Sequence, residues 1–126
     1  MSAETAIQGA LYSVATGLGL TCYDVAPQDG AVWPHVTVGL VTLIPFDTQT
    51  STGFEFTATL HVRSRSASMK ETKDIQGQLY AALHRQPLAI TGFTTILVRF
   101  SSSIPLQAPD GSFHGVSEFR GLIEST

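Results

Sequence analysis

The stretch FEFTATLHVRSR, residues 54–65, alternates between apolar and polar side chains with unusual regularity. One set of alternate positions is apolar: Phe54, Phe56, Ala58, Leu60 and Val62. The other set carries charged, imidazole or hydroxyl side chains: Glu55, Thr57, Thr59, His61, Arg63 and Arg65. Because successive side chains of a β-strand point to opposite faces, this pattern predicts an antiparallel strand with one buried face.

Further strands are predicted on both sides of this one. Before it, residues 35–43 (HVTVGLVTL) are rich in β-branched side chains, and residues 22–25 form a short extended piece. Residues 94–104 and 113–124 read as two long strands, joined by turn material at residues 108–111. Residues 27–30 predict a turn, and the polar residues 45–53 predict an exposed loop.

Two segments have helical periodicity. Residues 3–16 place apolar side chains on one face, with Ser2 as the N-cap and Gly17 and Gly19 as the stop. A second helix begins at Ser66 or Ser68 and runs to about residue 85. Ser68 and Glu71 have the spacing of a capping box at its start. Its predicted core stripe is Met69, Thr72, Ile75, Leu79, Ala82 and Leu83.

Together these elements predict one α+β domain spanning residues 1–126. The expected order is α-β-β-β-α-β-β, with an antiparallel sheet of about four to five strands packed against two main helices. No 18-residue apolar stretch is present, and the first residues, MSAETAIQG, are acidic where a signal peptide is basic. We therefore expect a soluble protein that is made and used without export.

Charge is scarce in this chain. Only 13% of residues are charged, against about 25% in an ordinary domain, and the net charge is −3. The acidic balance argues against a groove that tracks nucleic-acid phosphates. The low charge is explained equally well by a hydroxyl-rich monomer surface or by surfaces that end against other subunits.

Residues suited to catalysis or metal binding are few. Cys22 is the sole cysteine and is expected to be a small apolar filler. The four histidines, His35, His61, His84 and His114, form no spaced metal motif. No phosphate-binding loop or nucleophile elbow occurs. We therefore expect no enzyme activity, no cofactor and no metal site.

Several consecutive segments resemble the tail-terminator, or tail-completion, family of siphophages and gene transfer agents. The matching text is WPHVTVG at 33–39, LHVRSRS at 60–66, LYAALH at 79–84, PLAITG at 87–92 and APDGSFHGVSEFR at 108–120. The resemblance covers nearly the whole chain in order and spacing. The loop at residues 45–53 has no residue that aligns with the family.

The resemblance implies a structural virion protein that forms a ring, usually sixfold, at the head-proximal end of the tail tube. Such a ring stops tube polymerisation and docks the tail to the head connector. The implied partners are copies of itself, the tail tube protein and the connector, with DNA passing through the channel without sequence-specific binding. The implied location is the virion, after assembly in the host cytoplasm, with no role for a membrane.

The family implies no catalytic residue, so site residues are inferred only coarsely. The candidates for a subunit interface or the ring lumen are Glu55, Arg63, Arg65, Arg99, Glu118 and Arg120. The candidates for docking loops are Phe46, Asp47, Asp110 and Gly111. Two alternatives are another head–tail joining or minor tail protein, and a small α+β domain with a ligand pocket between helix and sheet.

Overall fold

A computed structural model describes residues 2–24, 30–47 and 52–125 of the chain. Its elements follow the order α1 (Ala3–Gly17), β1 (Cys22–Tyr23), β2 (His35–Pro45), β3 (Gly53–Ser64), α2 (Lys70–Leu83), β4 (Phe93–Gln107) and β5 (Phe113–Ser125). The predicted α+β class and element order are confirmed. Three parts of the predictions lie outside the described residues. They are Val25 of the short extended piece, residues 27–29 of the predicted turn and residues 48–51 of the predicted loop.

The five strands form one sheet in the order β1-β2-β3-β5-β4. The four long strands pair antiparallel with their neighbours. The expectation of a purely antiparallel sheet is wrong for β1, which pairs parallel with β2 at Cys22–Val36 and Tyr23–Thr37. Because β1 and β2 run in the same direction, the sheet is mixed and not purely antiparallel.

The alternation in the central strand β3 gives the buried face that the sequence predicts. Phe56, Ala58, Leu60 and Val62 are 0% exposed and lie in the core. They pack with β5 side chains such as Phe119 and Ile123 and with residues of both helices. The helices cover this face of the sheet, and the opposite face carries the polar positions of β3. That opposite face is called the helix-free face below.

Helix α1 begins as predicted. The Ser2 hydroxyl accepts a hydrogen bond from the Thr5 backbone N–H at 3.1 Å, which satisfies one of the unpaired donors of the first turn. The helix ends at Gly17, one residue beyond the predicted end, and Gly19 follows with a positive φ of 82°. A glycine adopts this left-handed conformation without a steric cost.

Helix α2 differs from its prediction at both ends. It begins at Lys70, and its N-cap residue Met69 makes no side-chain capping bond. The predicted capping box is wrong, because the Glu71 carboxylate accepts from Ser64 at the end of β3 instead. The helix ends at Leu83, and Arg85 just after it has a positive φ of 57°.

The predicted stripe of α2 is buried at Thr72, Ile75, Leu79 and Leu83. Gln76 is also buried, which the pattern did not predict. Strand β4 extends to Gln107, beyond the predicted end at residue 104, and includes Pro105. Proline is compatible with this position because β4 lies at the edge of the sheet. Within the described residues, no helix has the length and apolarity needed to cross a bilayer.

Candidate assembly surface

Five of the six predicted interface or lumen residues occupy polar positions of the helix-free face. Glu55 and Arg63 lie on β3, Glu118 and Arg120 on β5, and Arg99 on β4. The strand registers bring Glu55, Arg99 and Arg120 around one hollow of about 360 Å³. Arg63 lies toward the other end of β3, opposite His114. These five residues are therefore spread along this face and do not form one compact site.

Arg99 and Arg120 are directly opposite each other in the β4–β5 pair. Like charges in that position repel and destabilise the pair slightly. Glu118 is near but accepts a hydrogen bond from the Ser101 hydroxyl at 2.8 Å. This part of the helix-free face therefore presents two guanidinium groups to its surroundings.

Three histidines gather around Arg63 at the other end of the helix-free face. His35 and His114 are the register partners of Arg63 on the two neighbouring strands. The Nδ1 atom of His61 lies 2.8 Å from the Nε2 atom of His114. The alternation of β3 placed His61 and Arg63 on one face, but the contact with His114 depends on the β3–β5 register and was missed.

The environment of each imidazole in this group lowers its pKa and so favours the neutral form. Burial, reinforced by the positive charge of Arg63, lowers the pKa of His61. Burial and the charges of Arg63 and His61 lower the pKa of His114. His35 also has a lowered pKa, first through burial, and its Nδ1 atom lies 2.9 Å from the Val32 carbonyl oxygen. A neutral pair allows one ring N–H to donate to the other ring nitrogen.

Arg65, the sixth predicted residue, lies just beyond the end of β3. Its guanidinium group is 4.1 Å from the centroid of the Trp33 ring, a cation–π contact. Trp33 in turn packs edge-on against His35. The Nε2 atom of His35 is buried without a hydrogen-bond partner among the described residues. Arg65 therefore adds a cation–π contact to an aromatic cluster at this end of the sheet.

The two predicted docking loops lie at opposite ends of the strands. Phe46 and Asp47 follow β2, where the Phe46 N–H donates to the Gly53 carbonyl and Asp47 accepts from the Gly53 N–H. Asp110 and Gly111 join β4 to β5 at the other end. The Asp110 carboxylate accepts from the Ser112 hydroxyl and N–H, and both bonds lower the Asp110 pKa.

The surroundings of Cys22 disfavour a reactive thiol. Cys22 is buried, and burial raises the pKa of its thiol to about 11. A nucleophilic cysteine needs the opposite shift, because the thiolate is the reactive form. No group of three or more metal-binding side chains occurs within the described part of the chain.

A groove of about 300 Å³ runs between α2 and the edge strand β4. Its lining includes Lys73, Tyr80, Phe100 and Pro105, together with Gln76. The Gln76 side-chain nitrogen is buried and finds no acceptor in the described residues. The groove is thus mainly apolar, and it lies beside the outer edge of the sheet.

Comparison with known proteins gives matches over nearly the whole chain. Residues 5–124 match the protein family described as Tail completion protein gp17. A curated relative, the tail completion protein gp17 of Bacillus phage SPP1, is 29% identical over 101 residues, which are 79% of this chain and 75% of the relative. A chain from the virion of a native gene transfer agent particle shares the fold, with a TM-score of 0.85 and 17% identity over 98% of both chains.

Proposed function

The chain belongs to the tail completion protein gp17 family, and from that premise we propose that its copies form a ring at the head-proximal end of a phage tail tube. A structural role in a phage tail, within the virion, follows from membership of this family. In our proposal the ring, of six subunits, stops tube polymerisation and docks the tail to the head connector. DNA crosses its channel without sequence-specific contacts.

The observation that carries this proposal is the separation of the two exposed loops. Phe46 and Asp47 lie at one end of the sheet. At this end β2 finishes at Pro45, β3 begins at Gly53, β4 begins at Phe93 and β5 finishes at Ser125. The Asp110 and Gly111 turn lies at the far end of strands that are 13 and 15 residues long. At about 3.3 Å per residue, the two loops are some 40 Å apart. A ring built from such subunits has two distinct ends for two different partners.

The low fraction of charged residues supports the same function. A ring closes when one heterologous interface repeats with a constant rotation. Interface cores are depleted in charge, and only 13% of the residues of this chain are charged. The net charge of −3 also disfavours tight retention of DNA in a channel.

The test is assembly of tails in infected or induced cells that lack this protein. We expect tubes of uncontrolled length without heads, and normal tails after the wild-type chain is supplied. Electron microscopy with a labelled chain should locate it at the head-proximal end. Label found only at the tail tip, or normal tails without the chain, would contradict the proposal.

Loop variants test the two-ended arrangement. Phe46→Ser and Asp110→Ala should each weaken binding to one partner, tube or connector, and not the same one. Asp110→Asn retains the oxygen that accepts from Ser112 and serves as the matched control. Binding to the connector alone by the wild-type chain would favour a different head–tail joining component.

A further inference from the structure

The outer edge of β4 is blocked over half of its length. The Arg85 N–H donates to the Val98 carbonyl at 2.7 Å, and the Phe100 N–H donates to the Nδ1 atom of His84 at 2.9 Å. The segment that follows α2 thus covers this edge as far as Phe100. Beyond it lie residues 101–107, SSSIPLQ, whose outer edge faces no other strand of the described chain.

At the opposite edge of the sheet, the covered part lies toward the other end of the strands. Strand β1 covers β2 only at Val36 and Thr37, and the Val36 N–H donates to the Thr21 carbonyl. Residues 39–45, GLVTLIP, continue β2 with no described strand on their outer side. Leu40 and Ile44 in this segment are 71% and 59% exposed. Ile104 and Leu106 in the open half of β4 are 52% and 48% exposed.

The directions of the four long strands suit continuation of the sheet into another copy. Strands β2, β3, β5 and β4 alternate in direction across the sheet, because each adjacent pair is antiparallel. A rotation about an axis near the strand direction preserves that direction. The β2 strand of a rotated copy is therefore antiparallel to β4, and the alternation continues without interruption.

We propose that residues 101–107 of one copy pair antiparallel with residues 39–45 of a second copy. This inference rests on the ring proposed above and names the surface that joins its subunits. Pairing of open edges satisfies backbone groups on both strands and brings exposed apolar side chains of the two copies side by side. It also places the groove between α2 and β4 against the α1 side of the second copy, since α1 packs on β2.

The positions of the two open halves match the geometry of a closed sheet. Thr42, the centre of one segment, is the register partner of Thr57 on β3. Ile104, the centre of the other segment, pairs with Val116 on β5, which in turn pairs with His61 on β3. Joining them shifts successive copies by four residues, about 13 Å. Four strands span about 19 Å across the sheet. The ratio corresponds to a strand tilt of about 35°, within the usual range for barrels.

The same pairing keeps the faces of the sheet in agreement. With Thr42 opposite Ile104, Ile44 lies opposite Ser102, and all four occupy the helix-free side of their strands in the registers of the subunit. The helices then lie outside the ring and the helix-free face lines its channel. Six copies would give a backbone diameter of about 45 Å.

Cross-linking tests this pairing directly. A Thr42→Cys/Ile104→Cys chain assembled with tail tubes and then treated with a short bismaleimide should give a ladder of covalent species that ends at the subunit number of the ring. Either single variant should give no ladder. The wild-type chain is a control for Cys22, whose buried thiol, with a pKa near 11, should stay unmodified.

A second cysteine pair serves as the matched control. Thr42→Cys/Thr94→Cys places one thiol on the covered half of β4 and should give no ladder. Rings visible by electron microscopy without a ladder from Thr42→Cys/Ile104→Cys or Ile44→Cys/Ser102→Cys would overturn the pairing and leave the ring intact. Absence of rings from the wild-type chain with tail tubes would overturn the ring and this pairing together.

Discussion

The Nδ1 atom of His61 on β3 lies 2.8 Å from the Nε2 atom of His114 on β5, and Arg63 is the register partner of His114. One of the two facing nitrogens must lack a proton for a hydrogen bond to form between them. Protonation of both rings would place two N–H groups and two positive charges together beside Arg63. The arrangement therefore has a defined dependence on pH.

We predict that stability falls as the pH drops through about 6.5, the ordinary pKa of histidine. Burial lowers the pKa of His61 and His114 in the folded chain, so the unfolded chain binds more protons below that pH. Stability therefore rises with pH in this window and is complete above it. Thermal unfolding between pH 5 and 8 measures the effect.

The control for the pH effect is the His61→Gln/His114→Gln double variant. It should lose less stability than the wild-type chain between pH 7.5 and pH 5. The remaining slope should come from His35, whose pKa is also lowered by burial. Parallel curves for the two proteins would contradict the prediction.

Phe56→Asp should prevent folding. The Phe56 ring is fully buried in the core, and a carboxylate there has no partner and no water. Phe56→Ala should lose about 3–5 kcal/mol of unfolding free energy. Phe46→Asp is the matched control, because Phe46 is exposed and should tolerate the charge. A Phe56→Asp chain that melts like wild type would mean that the strand faces are reversed.

Replacement of glycine by alanine should change the free energy of unfolding in opposite directions at two positions. A Cβ atom at Gly121 would lie 2.4 Å from the Phe56 ring and 2.8 Å from the Leu97 carbonyl oxygen, so Gly121→Ala should cost about 1–3 kcal/mol. Gly9 in α1 has open space around it, and Gly9→Ala should stabilise by about 0.5–1 kcal/mol. Chemical denaturation checks both, and equal effects would refute the contact at Gly121.

Arg99→Glu should stabilise the isolated subunit. It replaces two arginines that face each other across β4 and β5 with an oppositely charged pair. At an exposed position the gain should be a few tenths of a kcal/mol to about 1 kcal/mol, and smaller at high salt. Arg99→Gln removes the repulsion alone and should give a smaller gain. No change in the denaturation midpoint at low salt would show that the two side chains avoid each other.

The strongest local patterns were sufficient to predict the elements of the fold. The alternation in β3 predicted its buried face, because successive side chains of a strand point to opposite faces of the sheet and only one face is exposed to solvent. The N-cap at Ser2 is likewise a local device within four residues. The class and order of elements followed from such patterns.

What the sequence could not predict depends on contacts between distant residues. The capping box at Ser68 failed because Glu71 accepts from Ser64, at the end of another element. The meetings of Arg99 with Arg120 and of His61 with His114 depend on strand register. In β4 that register is shifted by irregularities between Thr95 and Leu97 and between Phe100 and Ser102. Such irregularities have no reliable signature in a single sequence.

The hydrogen bonds from Arg85 and Phe100 that cover part of β4 also bear on the life of the newly made chain. A fully bare strand of 15 residues would favour indiscriminate edge-to-edge pairing into fibres at high protein concentration. Covering the stretch up to Phe100, and placing Pro105 within the remainder, leaves few backbone donors for a stray strand to capture. The polypeptide should therefore stay dispersed until the ring proposed above assembles.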